Sequence, residues 1–373
     1  MSIIIFLIIL LVLVLVHEFG HFFTAKKFGI RVDEFGFGFP PKLFSFKKGE
    51  TEYSFNLLPV GGFVKIFGEN FEEADMVEVG FLDKDSTVKQ DFSRSLVSKP
   101  KYQQAIVLFA GIFANFLLAW LLFSFSFMTG LPTSVGSEPK NYDIKNVHLV
   151  VLSVLPDSPA ETAGLKSGDK IVYIKSGNAV TDKISPETIK SFVALGKQLE
   201  MAYLRGNDTT YNMIQITPKN NDGNFSIGIS MDQIGIVKLP VLSAFWEGLK
   251  LDWSVTKGTV VGLYTLIAEG IMGRGSFESV TGPVGIVSIV GNAYQFGFVY
   301  LLSFTALISV NLAIINLIPF PALDGGRLLF LLIEKIKGSR MNPKFANTAN
   351  MIGFTVLIIL MLLVTYHDVV KLF

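Results

Sequence analysis

The chain contains no cysteine among its 373 residues. That excludes disulfide bridges and any metal site built on thiolates. A bound zinc would have to be held by histidine, aspartate and glutamate. Histidine itself is scarce, occurring only as His17, His21, His148 and His367. The net charge is +1, which leaves no overall basic field of the kind that draws nucleic acid. Charged residues make up 17% of the chain, well below the usual share for a soluble domain. No basic residue precedes Lys26. The apolar N-terminal stretch therefore lacks the charged lead of a secretory signal and reads as a retained span.

What is abundant is apolar. Half of the residues are hydrophobic, 34 of them Phe, and the mean hydropathy is +0.50. That is too apolar for a soluble domain and too mixed for spans alone. The pattern predicts a polytopic α-helical membrane protein with about four transmembrane helices, a small, partly membrane-embedded β-hairpin or sheet, and one inserted soluble α+β domain. Residues 1–130 carry the first span (2–25), alternating strands at 43–46 and 53–57, and a strand at 63–66 set off by Pro59, Gly61 and Gly62. A polar, acidic stretch over 69–99 reads as a surface loop, and a second span follows over 104–128. Residues 131–240 are soluble in character, with strands expected at 147–154, 211–216 and 225–230 and a helix over 186–199. Residues 241–297 are amphipathic, with Trp246 and Trp253 at interfacial positions. Residues 298–373 hold the third span (298–318) and the fourth (353–366). Lys26 and Lys27, and later Lys335, Lys337, Arg340 and Lys344, place their segments on the cytoplasmic side. Both termini and the soluble domain over 131–240 then lie extracytoplasmic.

His17-Glu18-Phe19-Gly20-His21 sits inside the first span. Two imidazoles and a carboxylate are costly in hydrocarbon and mark a functional site. Positions i and i+4 share a helix face, so both imidazoles can meet one Zn2+, with Glu18 placed to serve a water as base. A catalytic zinc needs a third ligand. His148 falls in the soluble region, His367 at the far end of the last span, and Glu269 and Glu278 in interfacial or loop sequence. Asp324 follows Pro319-Phe320-Pro321, where the third span must end. The charge-derived topology brings it level with His17 and His21. Asn316 precedes it by eight residues and binds substrate backbone or an oxyanion, or else packs helices. Asn311, in the same span, is a further candidate for substrate binding. Asn115, four residues after Gly111, either packs helices or joins the active site. Gly61 and Gly62 admit a substrate backbone or make a plain turn.

These residues resemble the site-2 proteases, the intramembrane zinc metalloproteases, in their bacterial RseP/RasP form. The likeness covers nearly the whole chain. It rests on the His17–His21 motif, on 35–38 and 53–65 as the reentrant hairpin, on Gly111-x-x-x-Asn115, on Thr281-Gly282-Pro283-Val284-Gly285, and on 316–326. The stretch 156–171 resembles a PDZ signature. Ile112 stands where the family often has proline, and one PDZ-like domain is evident where the enterobacterial type has two. The resemblance implies a multi-pass enzyme of the bacterial inner membrane, in contact with lipid. Its expected substrates are transmembrane proteins or peptides, such as anti-sigma factors or signal-peptide remnants, which unwind and pair as a strand with the hairpin. The PDZ-like domain then contacts a substrate ectodomain or peptide ends, or gates access. The competing readings are a catalytically silent membrane adaptor and, more remotely, a transporter; zinc content separates the first of these from a protease.

Overall fold

The computed structural model describes residues 1–69, 92–206, 208–221, 223–273 and 281–370. Most of the acidic stretch expected as a surface loop, and Glu278, lie outside the described residues. The helices are α1 (Ser2–Lys27), α2 (Lys101–Thr129), α3 (Pro159–Thr162), α4 (Pro186–Ala194), α5 (Val241–Ile271), α6 (Pro283–Phe296), α7 (Phe298–Leu317), α8 (Asp324–Lys337) and α9 (Pro343–Val370). Of these, α1, α2, α7 and α9 are long and apolar enough to cross a membrane. Helix α5 is not among them, although it is 31 residues long. Its Trp246 and Trp253 are 60% and 71% exposed, as suits a helix in the membrane interface. The last span starts at Pro343 rather than near 353, because proline is well suited to the first helical position. Its first turns are polar and escape a hydropathy reading.

The chain forms two compact units, residues 1–122, 249–290 and 305–373, and residues 123–248 and 291–304. In the first, β1 (Val32–Lys48) and β2 (Thr51–Ile66) form an antiparallel hairpin with an unusual register. Phe37 pairs with both Phe55 and Gly62, and Phe35 with both Tyr53 and Val64. Strand β2 thus bends round and flanks the start of β1 on both sides. Pro59, Gly61 and Gly62 do not break the strand as expected; they make this bend. Gly61 has φ +89°, a conformation that costs glycine little. A side chain on Gly62 would place its Cβ 2.9 Å from the Gly36 carbonyl oxygen and 3.2 Å from Leu15 of α1.

The bend leaves residues 63–66 as an edge. Among the described residues they pair with β1 on one side only. Ala25, Ile30, Val32, Ile66, Leu96 and Val107 form a buried cluster that fastens this hairpin to α1 and α2. At the hairpin turn, Glu50 bonds Arg94 at 2.7 Å and Lys26 at 2.5 Å. Arg94 first, and Lys26 with it, hold its carboxyl down at about 2. Further on, Asp368 of α9 accepts from the Gly282 and Gly285 N–H groups at 3.1 and 2.8 Å. It thereby caps α6 and anchors the Thr281–Gly285 motif.

The second unit holds a seven-stranded sheet. Its order is β3 (Leu131–Ser134), β11 (Ile229–Val237), β4 (Lys145–Val154), β5 (Lys170–Ser176), β7 (Leu199–Leu204), β8 (Asn212–Ile216), with β6 (Ala179–Thr181) on β5. A small pair, β9 (Lys219–Asn221) and β10 (Asn224–Ser226), stands apart. The core is built from Leu149, Ile171, Ile174, Ile189, Leu199, Met201 and Ile216. Two local expectations change. Helix α4 stops at Ala194, with Gly196 in the left-handed conformation just after it. Leu199 therefore opens β7 instead of closing the helix. The strand expected over 225–230 is split at Gly228, φ +78°. The turn of the PDZ-like signature is held by buried Asp169, which accepts from Arg205 at 2.8 and 2.7 Å and from the Lys166 N–H at 2.8 Å.

Candidate metal centre

Helices α1 and α2 pass antiparallel, so that His17 meets Asn115 and His21 meets Val107. Gly111 makes room for this: a Cβ there would overlap the His21 imidazole. The i, i+4 spacing of Gly111 and Asn115 on α2 therefore answers that of His17 and His21 on α1. The third component comes from the far side of the sequence. Helix α7 ends at Leu317, the chain turns through Pro319 to Leu323, and α8 starts at Asp324. Gly325 and Gly326 let the first turn of α8 lie directly against the Leu317, Ile318 and Phe320 carbonyls. Ala322, φ +75°, holds a conformation that is costly for a residue with a side chain.

This turn delivers Asp324 to the two histidines. Its Oδ2 lies 3.0 Å from His17 Nε2 and 3.3 Å from His21 Nε2, and the two Nε2 atoms are 3.2 Å apart. Among the described residues this is the one cluster of three or more metal-ligating side chains with its donor atoms converging. The outer nitrogens are occupied too. His21 Nδ1 donates to the Val107 carbonyl at 2.8 Å, which leaves Nε2 as the free lone pair.

His17 tests whether these residues fit a metal. Asn115 Nδ2 donates to His17 Nδ1 at 3.2 Å, while Asn115 Oδ1 is fully buried with no hydrogen-bond partner among the described residues. An orphaned buried oxygen is costly. A His17 that offers its Nε2 lone pair to zinc carries its proton on Nδ1. A half-turn of the carboxamide then sets Oδ1 to accept a hydrogen bond from that N–H, and the NH2 group takes the outer position. The donor set and its surroundings fit a bound zinc. Asn115→Ala is expected to lower zinc affinity about tenfold to a hundredfold, measured by competition with a chromogenic chelator. Unchanged affinity would remove Asn115 from the support of His17.

The centre opens into a cavity of about 720 Å³. Glu18 lines it beside the histidines and Asp324, and Val64 of the β2 edge lines it too. Phe63 and Val64 form one wall. Glu69 and Arg327, joined as an ion pair, form another. Asn347, Asn350 and Phe354 of α9 complete it.

The other residues singled out in the sequence are placed elsewhere. Asn311 bonds Thr259 of α5 at 3.0 Å and ties two helices. Asn316 is half-buried at the end of α7 and makes no side-chain hydrogen bond among the described residues. Gly61 and Gly62 pack toward Phe39, Val14 and Leu15. His148 lies in β4 and His367 in α9, neither in the cluster. Sequence reasoning passed over Arg327, Asn347 and Asn350. The visible signal for the last two was a pair of carboxamides one helical turn apart at the head of an apolar span.

A His-Glu-x-x-His helix whose two imidazoles converge with a distant carboxylate beside a polar cavity is the arrangement of a metallopeptidase centre. Comparison with known proteins agrees. The Peptidase family M50 model matches residues 5–360. A Clostridium perfringens relative is 37% identical over 96% of this chain and 95% of its own length. The zinc metalloprotease RasP of Geobacillus kaustophilus is 31% identical over 100% of this chain and 98% of its own. RasP of Oceanobacillus iheyensis is 30% identical over 100% and 99%. Among solved structures, the PDZ domain of an SdrC-like protein from Listeria monocytogenes is similar to 24% of this chain, at 23% identity and TM-score 0.20. The chain belongs to Peptidase family M50. It is a zinc metalloendopeptidase and a membrane protein.

Proposed function

We propose that this enzyme hydrolyses peptide bonds within or near the transmembrane segments of single-span membrane proteins. This is regulated intramembrane proteolysis, with anti-sigma factors or signal-peptide remnants as representative substrates. The observation that carries the reading is that an edge strand and the catalytic carboxylate share one cavity: Phe63 and Val64 stand beside Glu18, His17, His21 and Asp324. A transmembrane helix keeps its carbonyls in internal hydrogen bonds, so it must unwind before it can be cut. An unpaired strand edge offers replacement backbone bonds in a setting where unsatisfied groups are costly.

In this reading His17, His21 and Asp324 hold the zinc. The metal, when bound, lowers the pKa of a water and polarises the scissile carbonyl. Glu18 takes the proton of the attacking water and delivers it to the leaving amine. Asn316, at the break after α7, is a substrate-backbone contact; Asn311 and Asn115 hold neighbouring helices in register; Gly61 and Gly62 shape the strand bend. Both termini and the PDZ-like domain lie on the extracytoplasmic side of a bacterial inner membrane. There the domain meets a substrate ectodomain or its trimmed end, or restricts which substrates enter. The test compares membrane fractions from cells with and without an active copy. Stubs of single-span proteins, already shortened outside the membrane, are expected to accumulate when activity is lost. Identical fragment patterns in the two membranes would overturn the proposal.

A further inference from the structure

The last helix has a structural task beyond crossing the membrane. Its outer surface is apolar, with Ile352, Leu362 and Leu363 each more than half exposed. Asn347, Asn350 and Phe354, at i, i+3 and i+7, instead line the catalytic cavity. Helix α9 is set there by two contacts with the turn that carries Asp324. Asn350 Oδ1 accepts from the Ala322 N–H at 3.2 Å. Gly353 lies against Pro321, where a Cβ would come 2.8 Å from the proline Cβ. A side chain of any size at 353 would push α9, and the two carboxamides with it, away from the cavity.

A polypeptide laid along residues 63–66 uses only half of its backbone groups on that edge. The other N–H and C=O groups point away from β2. In a membrane cavity with limited water they need partners. A carboxamide provides both a donor and an acceptor, and so serves a backbone of any sequence. With its oxygen on Ala322, Asn350 keeps an NH2 group to donate. Asn347 lies one turn nearer the start of the helix on the same face.

We propose that Asn347 and Asn350 bind the outer backbone edge of the extended substrate, so that α9 and β2 form the two sides of a clamp around the scissile segment. The ligand class is an unwound peptide backbone, held without regard to its side chains. Asn350 is also a positioning residue for the Asp324 turn. This rests on the proposed cleavage of a strand-paired membrane segment and adds a second side to it.

The absence of cysteine makes the test direct. Full-length protein carrying Glu18→Gln is given a single thiol by Asn347→Cys, by Val64→Cys, or by Ile352→Cys on the exposed face of α9. Each is oxidised in membranes against a single-span substrate bearing one cysteine at successive positions. Both Asn347→Cys and Val64→Cys are expected to crosslink with a two-residue period, and Ile352→Cys is not. Crosslinking from Val64→Cys but no more from Asn347→Cys than from Ile352→Cys would overturn the clamp while leaving strand pairing intact. No crosslinking from Val64→Cys would instead overturn the strand-paired reading, and the clamp with it. In otherwise wild-type enzyme, Asn350→Asp keeps the acceptor for Ala322 and removes the donor. It is expected to raise KM about five- to tenfold with zinc content unchanged. An unchanged KM in the zinc-loaded fraction would overturn its part in the clamp, and a fall in zinc content beside it would assign Asn350 to the Asp324 turn alone.

Discussion

Glu18→Gln is expected to leave the protein folded and zinc-loaded but to reduce cleavage of a membrane reporter by about a thousandfold or more. The magnitude follows from the usual contribution of a positioned general base, about a hundredfold to ten-thousandfold, with the same group also serving as acid to the leaving amine. The substitution preserves size and replaces a proton acceptor with a carboxamide. Glu18 stands beside the cluster without entering it, so zinc per protein should match wild type. Metal analysis of the purified variant and a gel assay of reporter fragments test the two halves separately. Cleavage within tenfold of wild type would sink the assignment of Glu18 as base, and loss of zinc would place it among the ligands instead.

Asp324→Ala is expected to abolish zinc binding and activity together. Removing a support of a ligand costs about tenfold to a hundredfold in affinity, and removing one of three ligands should cost more. The Nε2 atoms of the two histidines are 3.2 Å apart, but two imidazoles fall short of the three protein ligands that a catalytic zinc requires. Binding that favours the folded state raises its stability. Added zinc should therefore raise the thermal midpoint of the wild-type protein and leave that of the variant unmoved. A variant that keeps one zinc per chain at buffered, nanomolar metal would remove Asp324 from the ligand set. The two variants together separate proton transfer from metal binding.

Much of the centre was legible because it depends on local spacing. His17 and His21 share a face through helical periodicity alone. Asp324 was legible for another reason: prolines at 319 and 321 must end a span, and an aspartate at such a place needs a partner. Asn115 was visible only as an amide in a span. Its pairing with the Nδ1 of His17 depends on how far α2 slides along α1, which Gly111 sets by admitting the His21 ring. The hairpin shows the same limit. Pro59, Gly61 and Gly62 read as a break because each weakens a strand. Nothing local says that the strand bends there and returns along the other side of β1.

The sequence by itself determined that this is a membrane protein with four helices long and apolar enough to cross a membrane, and that any zinc must be held without cysteine, with His17, His21 and Asp324 as the candidate ligands. These follow from hydrophobic lengths, from helical period and from the cost of polar groups in hydrocarbon, all of which act within one segment. Only the tertiary structure decided that residues 63–66 form an edge facing Glu18. Only it brought Asn347 and Asn350 of the last helix to the cavity and set the Asn115 carboxamide against His17. Those arrangements depend on the register and depth at which separate elements pack, and close packing between distant segments leaves no periodic trace in either one.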